Sequence, residues 1–263
     1  MKVGVVQMRP IFGAVEENID RAISIIGQVS SDLWVLPELF ATGYQFRLAA
    51  EARSLAEPVL GGLTVSRLIE AARKFDAFIC AGLPEIDRGR VYNAAVLVGP
   101  DGLVARYRKI HLFYHEKEIF SPGDLPFRVV DIGLAKVGMM ICFDHFFPEA
   151  ARTLAIRGAQ VIAHPANLVM PIYAQLTMRV RALENGVFTA TANRVGEEAR
   201  TDEALHFTGE SQIVSPSGEI LVSLSPTEER AESVVIDPLE ASNKALNAYN
   251  DRLGDRNPGF YET

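Results

Sequence analysis

Lys136-Val-Gly-Met-Met-Ile-Cys-Phe-Asp-His-Phe-Phe-Pro-Glu149 is the stretch from which the rest of the chain can be read. Its apolar run, Val137 to Ile141, stops at Cys142 and gives way to Phe143, Asp144 and His145, after which Pro148 opens a strongly helical segment reaching Arg157. The pattern predicts a strand, an elbow and a helix. A buried strand delivers a side chain to a fixed place, and the N-terminus of the next helix leaves N–H groups unpaired and carries partial positive charge. A thiol placed there is expected to lean toward thiolate. On this stretch alone a plain core cysteine fits equally well, because cysteine is among the most buried residue types.

Outward from the elbow the chain alternates between the two periodicities. Val3 to Met8 reads as a strand, and Glu16 to Val29 as a helix with Ile19, Ala22, Ile23, Ile26 and Val29 on one face. Leu33 to Leu36 and Asp76 to Leu83 read as buried strands, with a helix from Thr64 to Lys74 between them. After the elbow, Val161 to Ala163 and Val187 to Ala192 read as strands around a helix from Tyr173 to Asn185, and Ser233 to Ile236 as a last short strand. Such alternation predicts an α/β sandwich. Two hairpins stand out, one turning at Gly99-Pro-Asp-Gly102 and one within Gln212 to Val222. Both carry the order Val, any residue, Pro, Asp or Ser, Gly, which suggests two related halves. The hypothesis fails if the hairpins occupy unrelated positions in the sheets.

With 263 residues and 48% hydrophobic content, the chain can bury a large core and is expected to form one domain over residues 1–263. Residues 241–263 form a polar tail, expected to pack on a partner subunit or to fray. The net charge of -7 argues against a nucleic-acid surface. Met1-Lys2 runs straight into the first strand, too short for a signal peptide, and no apolar run reaches membrane-spanning length. A cytoplasmic protein is expected. The two cysteines, Cys80 and Cys142, need no disulfide, and Cys80 reads as core.

Three separated segments place a polar residue at or just beyond a predicted strand end. Glu38 follows Pro37 within the near-apolar run Leu33 to Phe40, where an unpaired carboxylate is costly to bury. Lys109 lies in Arg106-Tyr-Arg-Lys-Ile-His-Leu-Phe-Tyr-His-Glu-Lys-Glu118, with Glu116 shortly after it, and Cys142 is the third. His111 and His115 have helical metal-ligand spacing, but no further ligands cluster nearby. Neither a metal nor a cofactor is expected.

Pro37-Glu-Leu-Phe40, Arg108-Lys-Ile-His-Leu-Phe113 and Gly138-Met-Met-Ile-Cys-Phe-Asp144 together resemble the signature segments of the nitrilase superfamily of carbon-nitrogen hydrolases. The resemblance covers nearly the whole chain, and Phe143 to Glu149 is most similar to thermophile-type nitrilase and amidase members. It implies a four-layer α-β-β-α sandwich, dimerised through one helical layer into a longer stack. It also implies that Glu38 is the general base, Lys109 the catalytic lysine, Cys142 the nucleophile and Glu116 a second glutamate. The branches that hydrolyse D-amino-acid carbamoyl groups carry basic residues soon after the cysteine, which this chain lacks.

The chemistry explains why these residue types belong together. A carboxylate in apolar surroundings gains proton affinity and can take the thiol proton. The ammonium of Lys109 and the backbone N–H of Phe143 would stabilise charge on the attacked group. Candidate pocket residues are Tyr44, Phe113, Tyr114, Phe143, His145, Phe146 and Asn167, a partly aromatic set suited to a small-molecule substrate. The expected activity is an amidase acting on small aliphatic amides through a thioester, with a nitrilase or an N-carbamoyl amine hydrolase as alternatives. Rival readings are a Cys-His protease using His111, His145 or His164, and an inactive binding protein on the same fold. A serine hydrolase lacks its Gly-x-Ser-x-Gly elbow here, and no Gly-rich phosphate loop occurs.

Overall fold

Strand β1 (Lys2–Gln7) is buried at every position after Lys2, as a strand covered on both faces must be. This computed structural model describes residues 1–261. Helix α1 (Val15–Ile26) turns Ile19, Ala22, Ile25 and Ile26 inward, and strand β2 (Leu33–Val35) then runs parallel to β1. Two helices follow, α2 (Ala49–Leu55) and α3 (Leu63–Phe75), the first of which carries no clear sequence signal. Strand β3 (Phe78–Asp87) lies parallel to β2, and β4 (Arg90–Gly99) and β5 (Gly102–Arg108) complete an antiparallel meander. A single helical turn, α4 (Glu116–Ile119), leads out of this half.

The second half begins with β6 (Val129–Asp131) and β7 (Lys136–Met139). A 3-10 turn, Cys142–Phe146, precedes α5 (Pro148–Ile156), so the elbow is a tight turn before the helix and not the helix start itself. Then come β8 (Val161–Pro165), α6 (Tyr173–Asn185) and β9 (Phe188–Ala192). A separate hairpin of β10 (Val195–Glu198) and β11 (Leu205–Thr208) is unforeseen from the sequence. Strands β12 (Gln212–Val214) and β13 (Ile220–Ser223) finish the second sheet. β14 (Arg230–Val235) returns to pair antiparallel with β1.

The two six-stranded sheets run in the orders β14-β1-β2-β3-β4-β5 and β6-β7-β8-β9-β12-β13, and they match in register. In the first, Val3 faces Leu33, Leu33 faces Phe78 and Ile79 faces Val98. In the second, Val137 faces Val161, Val161 faces Phe188 and Thr189 faces Val214. Both hairpins shift register at the same place, between Leu97 and Val98 and between Ile213 and Val214. The hairpins therefore occupy equivalent positions, as two related halves require. Gly4 and Gly138 are equivalent too, and each admits a large neighbour. A Cβ would lie 2.4 Å from the Trp34 ring at Gly4 and 2.8 Å from Leu154 at Gly138.

Val5, Val35, Ala95, Met139, Ile141, Ala163 and Ala190 belong to one core that joins the inner faces of the two sheets, and Cys80 is buried among them. On the outer face of the first sheet, Trp34, Ile79 and Val96 pack with Ile19, Ile26 and Leu68 of α1 and α3. On that of the second, Met140 and Ile162 pack with Leu154 and Met178 of α5 and α6. The layers are thus α-β-β-α. The tail folds back onto its own chain: Lys244 Nζ donates to the carbonyls of Asn185 and Gly186, and Arg252 Nε to that of Leu183. Cations there satisfy the orphan carbonyls at the C-terminus of α6. Residues 262–263 of the tail lie outside the described residues. Among the described residues no helix is long and apolar enough to cross a membrane.

Candidate active site

Glu38 sits in a loop that β3 holds by its backbone. Leu36 N–H donates to Cys80, Gly82 N–H to Pro37 and Phe40 N–H to Gly82. The approach is so close that a Cβ on Gly82 would lie 2.5 Å from the Cα of Glu38. Lys109, one residue past β5, is fixed by its N–H to the Asn93 carbonyl at 2.8 Å and by Gly123 N–H to its own carbonyl at 2.9 Å. The side chains of Glu38 and Lys109 are fully buried, and Glu116 on α4 is nearly so. Lys109 Nζ donates to Glu38 Oε1 at 2.7 Å and to Glu116 Oε1 at 2.8 Å. Asn93 Nδ2 also donates to Glu38 Oε1, at 2.7 Å. Glu38 Oε2 is buried and has no partner among the described residues. Tyr44 OH donates to Glu116 Oε1 at 2.7 Å, and Phe113 N–H to Glu116 Oε2 at 3.1 Å.

Cys142 stands at φ 40°, a left-handed conformation that costs a non-glycine residue about 1–3 kcal/mol unless its surroundings impose it. Here they do. The Asp144 carboxylate accepts from Ile141 N–H at 2.8 Å, Tyr107 OH at 2.8 Å and His111 Nδ1 at 2.7 Å. His164 Nε2 lies 2.9 Å from the Cys142 carbonyl oxygen. Since that oxygen only accepts, Nε2 carries the proton, and Nδ1 accepts from Thr191 Oγ1 at 3.1 Å. The thiol donates to the backbone oxygen of Asn167 at 3.7 Å.

Burial raises the Glu38 carboxyl to about 7 even though Lys109 pulls it down. Burial alone would lower the Lys109 ammonium, but Glu116, Glu38 and Cys142 outweigh it and hold the charge in place. Cys142 is pushed up, first by burial and next by the Glu38 carboxylate, with Lys109 opposing too weakly to win. This corrects the expected thiolate: burial, reinforced by two carboxylates that share the one ammonium, favours the neutral thiol. Burial lowers His145 to about 3 and His164 to about 4, so both are neutral imidazoles. Neither hydrogen-bonds the sulfur, which bonds the Asn167 backbone oxygen. His145 Nδ1 pairs with Thr177 Oγ1, and His111 with Asp144, which removes the Cys-His protease reading.

The sequence pattern of the carbon-nitrogen hydrolases matches residues 2–242. The chain belongs to the carbon-nitrogen hydrolase family. It is 50% identical over 264 residues to a nitrilase of Pyrococcus abyssi, covering 99% of each chain. It is 35% identical over 258 residues to an (R)-stereoselective amidase of Pseudomonas sp., covering 96% of this chain and 91% of that one. The fold is similar to that of a mutant amidase from Nesterenkonia sp. AN1 (TM-score 0.81, 25% identity, 98% and 94% coverage). That structure shows the acetamide moiety of fluoroacetamide added covalently at its active-site cysteine. The chain is accordingly a hydrolase of carbon–nitrogen bonds, in the nitrilase superfamily, and not an idle scaffold.

In this hydrolase a niche of about 20 Å³ adjoins Cys142, lined by Phe113, Phe143, His145, Asn167, Leu168 and Val169 among others. A wider vestibule of about 420 Å³ shares Phe113 and Val169 with it and is lined by Tyr44, Tyr114 and Glu116. Phe146 borders neither cavity. It is 46% exposed and stacks on Phe143 from outside. His111 and His115 diverge: the first joins Asp144, and the second is exposed beside Glu118.

Sequence reading missed Asn93, whose signal was an amide inside the apolar strand Val91-Tyr-Asn-Ala-Ala-Val96. It also missed Asp144 and His164 as supports of the elbow. Glu198 escaped notice as well: its carboxylate accepts from Tyr44 N–H at 3.1 Å and Gln45 N–H at 2.6 Å, and pairs with buried Arg194, so it holds the loop that carries Tyr44.

Proposed function

We propose that this hydrolase is a cysteine-dependent amidase that converts small aliphatic amides to carboxylic acid and ammonia. The thiol proton of Cys142 passes to Glu38 Oε2, and the thiolate adds to the amide carbonyl carbon. Negative charge on the carbonyl oxygen is met by the Lys109 ammonium and the Phe143 N–H, donors typically worth about 3–4 kcal/mol each. The tetrahedral adduct collapses by breaking the C–N bond, and Glu38 returns its proton to the leaving nitrogen, releasing ammonia and leaving a thioester. Glu38 then takes a proton from water as the water attacks the thioester. The acid departs and the thiol is restored. Glu116 keeps Lys109 charged and ties it to Tyr44.

The observation that carries this reading is the division of labour within Glu38, where Oε1 holds Lys109 and Asn93 while Oε2 is left unpartnered. A proton affinity near neutrality suits an acid-base group that must work in both directions. The niche beside the sulfur holds little more than a water-sized group, which favours a short acyl chain. Nitrile hydrolysis uses the same thiolate and is supported by the half-identical Pyrococcus abyssi relative named as a nitrilase. N-carbamoyl hydrolysis is the third candidate. Ammonia release from small amides, nitriles and N-carbamoyl compounds by wild type and Cys142→Ala tests the reading. Cleavage that persists in the variant, or silence from folded wild type across the panel, overturns it.

A homodimer through the outer helical layer is part of the same proposal. On α6 the exposed apolar residues Tyr173, Leu176, Val180 and Leu183 recur at three-four-three spacing, a stripe suited to another helix. Exposed Ile156 and Ile172 extend the apolar surface nearby.

A further inference from the structure

We propose that the Asn167 side chain reads the N–H groups of the substrate, which makes primary amides, and not nitriles, the substrate class of this site. The inference rests on the thiol mechanism above and narrows it.

Asn167 is 3% exposed and borders the niche at Cys142. Its Nδ2 donates to the backbone oxygen of Glu38 at 2.8 Å. A carbonyl oxygen only accepts, so the amide cannot be turned over, and Oδ1 must point away from that bond. Oδ1 is buried with no partner among the described residues, and so is Glu38 Oε2. Asn93 Oδ1, on the residue that bonds Glu38 Oε1, is likewise buried without a partner among the described residues, so the open side-chain atoms around Glu38 are all acceptors. Asn167 and Glu38 are linked through one hydrogen bond, and the backbone oxygen of Asn167 accepts the thiol itself. On the donor side, Lys109 uses two of its three N–H groups on Glu38 and Glu116. The third is left for the oxygen that takes up charge.

A primary amide complements this set. Its carbonyl oxygen accepts, and its nitrogen carries two N–H groups for Asn167 Oδ1 and Glu38 Oε2. A nitrile has no N–H, so its binding would leave a buried acceptor unpaired after water is displaced, a direct desolvation cost. Sites built to hydrogen-bond a substrate N–H or O–H reject the analogue that lacks it by about 10⁴–10⁵-fold. Replacing only one such contact sets a smaller expectation here.

The test compares propionamide, propionitrile and methyl propionate on purified wild type and Asn167→Leu. The ester lacks N–H but passes through the same thioester. Wild type is expected to favour amide over nitrile by at least about 10³-fold in kcat/KM. Asn167→Leu is expected to lower the amide at least about 10-fold more than the ester. Nitrile turnover within about 10-fold of the amide in wild type overturns the proposal, and so does an equal loss on amide and ester in the variant. If the variant does not fold, the wild-type ratio decides alone. Fast cleavage of nitrile would leave the thiol mechanism standing and remove Asn167 recognition together with the preference for amides. Silence on all three substrates, or activity retained by Cys142→Ala, would remove the mechanism itself.

Discussion

Lys109 touches Glu38 through one oxygen only: Nζ donates to Oε1 at 2.7 Å, and Oε2, equally buried, is left open. The ion pair therefore leaves one oxygen of the proposed base unoccupied. A symmetrical bridge across both oxygens would hold the carboxylate more tightly and leave no acceptor for the thiol proton. Several measurable properties depend on this arrangement.

The first is pH dependence. In the proposed mechanism Glu38 must be ionised to accept the Cys142 proton, and its carboxyl is raised to about 7 by burial. Below that value the folded protein holds it protonated, so kcat/KM should fall about tenfold per pH unit on the acid side. A profile that is flat down to pH 5 would show that Glu38 is not the base.

Asn93 tunes the same group. Its hydrogen bond favours the charged carboxylate, so Asn93→Leu should move the acid limb upward by about one unit, since bonds to charged groups are worth about 1.5–3 kcal/mol. A limb displaced downward would contradict the assignment.

Lys109→Met should cost stability as well as turnover. It leaves Glu38 and Glu116 buried without their shared cation, and breaking a buried pair from one side costs about 3–5 kcal/mol. Glu116→Gln leaves Lys109 paired with Glu38, so folding should survive while turnover drops strongly. Urea unfolding and ammonia release on both variants separate the two roles; near-normal turnover of Glu116→Gln would take that residue out of the site.

Gly82→Ala tests the loop beneath Glu38. The new methyl would overlap the Glu38 backbone, a clash of the kind that costs about 1–3 kcal/mol. Because the displaced residue is the proposed base, kcat should fall by about 10²-fold, as expected when a reacting group is misplaced by about an ångström. Unchanged kcat with lowered melting temperature would mean that the loop absorbs the strain elsewhere.

Val180→Asp places a charge in the exposed α6 stripe, away from the linings of both cavities. Light scattering should report a dimer for wild type and a monomer for the variant. A monomeric wild type at micromolar concentration would dismiss the dimer.

The layers and most strands were legible because their apolar runs are continuous or amphipathic, as in Ala77 to Ala81 and the inner face of α3. The short helix α2 and the β10–β11 hairpin were not, for α2 is largely exposed and the hairpin's two four-residue strands are too short and too mixed in burial to carry a periodic signal. At the site, the quoted segments pointed to Glu38, Lys109, Glu116 and Cys142. The first three are brought into direct contact, and all four are electrostatically linked. What the sequence concealed was the balance of charge. A cysteine at the start of a helix suggested a thiolate, whereas burial first, and the Glu38 carboxylate next, push the group toward the thiol. Asn93 and His164 were hidden because the groups they support are 55 and 22 residues away, and His164 reaches Cys142 only through its backbone oxygen.

The matched halves divide the labour unequally. Glu38, Asn93, Lys109 and Glu116 all precede β6, whereas Cys142, His164 and Asn167 all follow it. Neither half has both the proposed nucleophile and the proposed base. Reactivity of the thiol is thus an emergent property of the closed sandwich, a coincidence signal that both sheets have docked. An unfinished or misassembled chain carries the parts of a hydrolase without its chemistry. Fragments divided ahead of β6 should be silent alone and complement one another when mixed, with the return of β14 to β1 supplying part of the clasp.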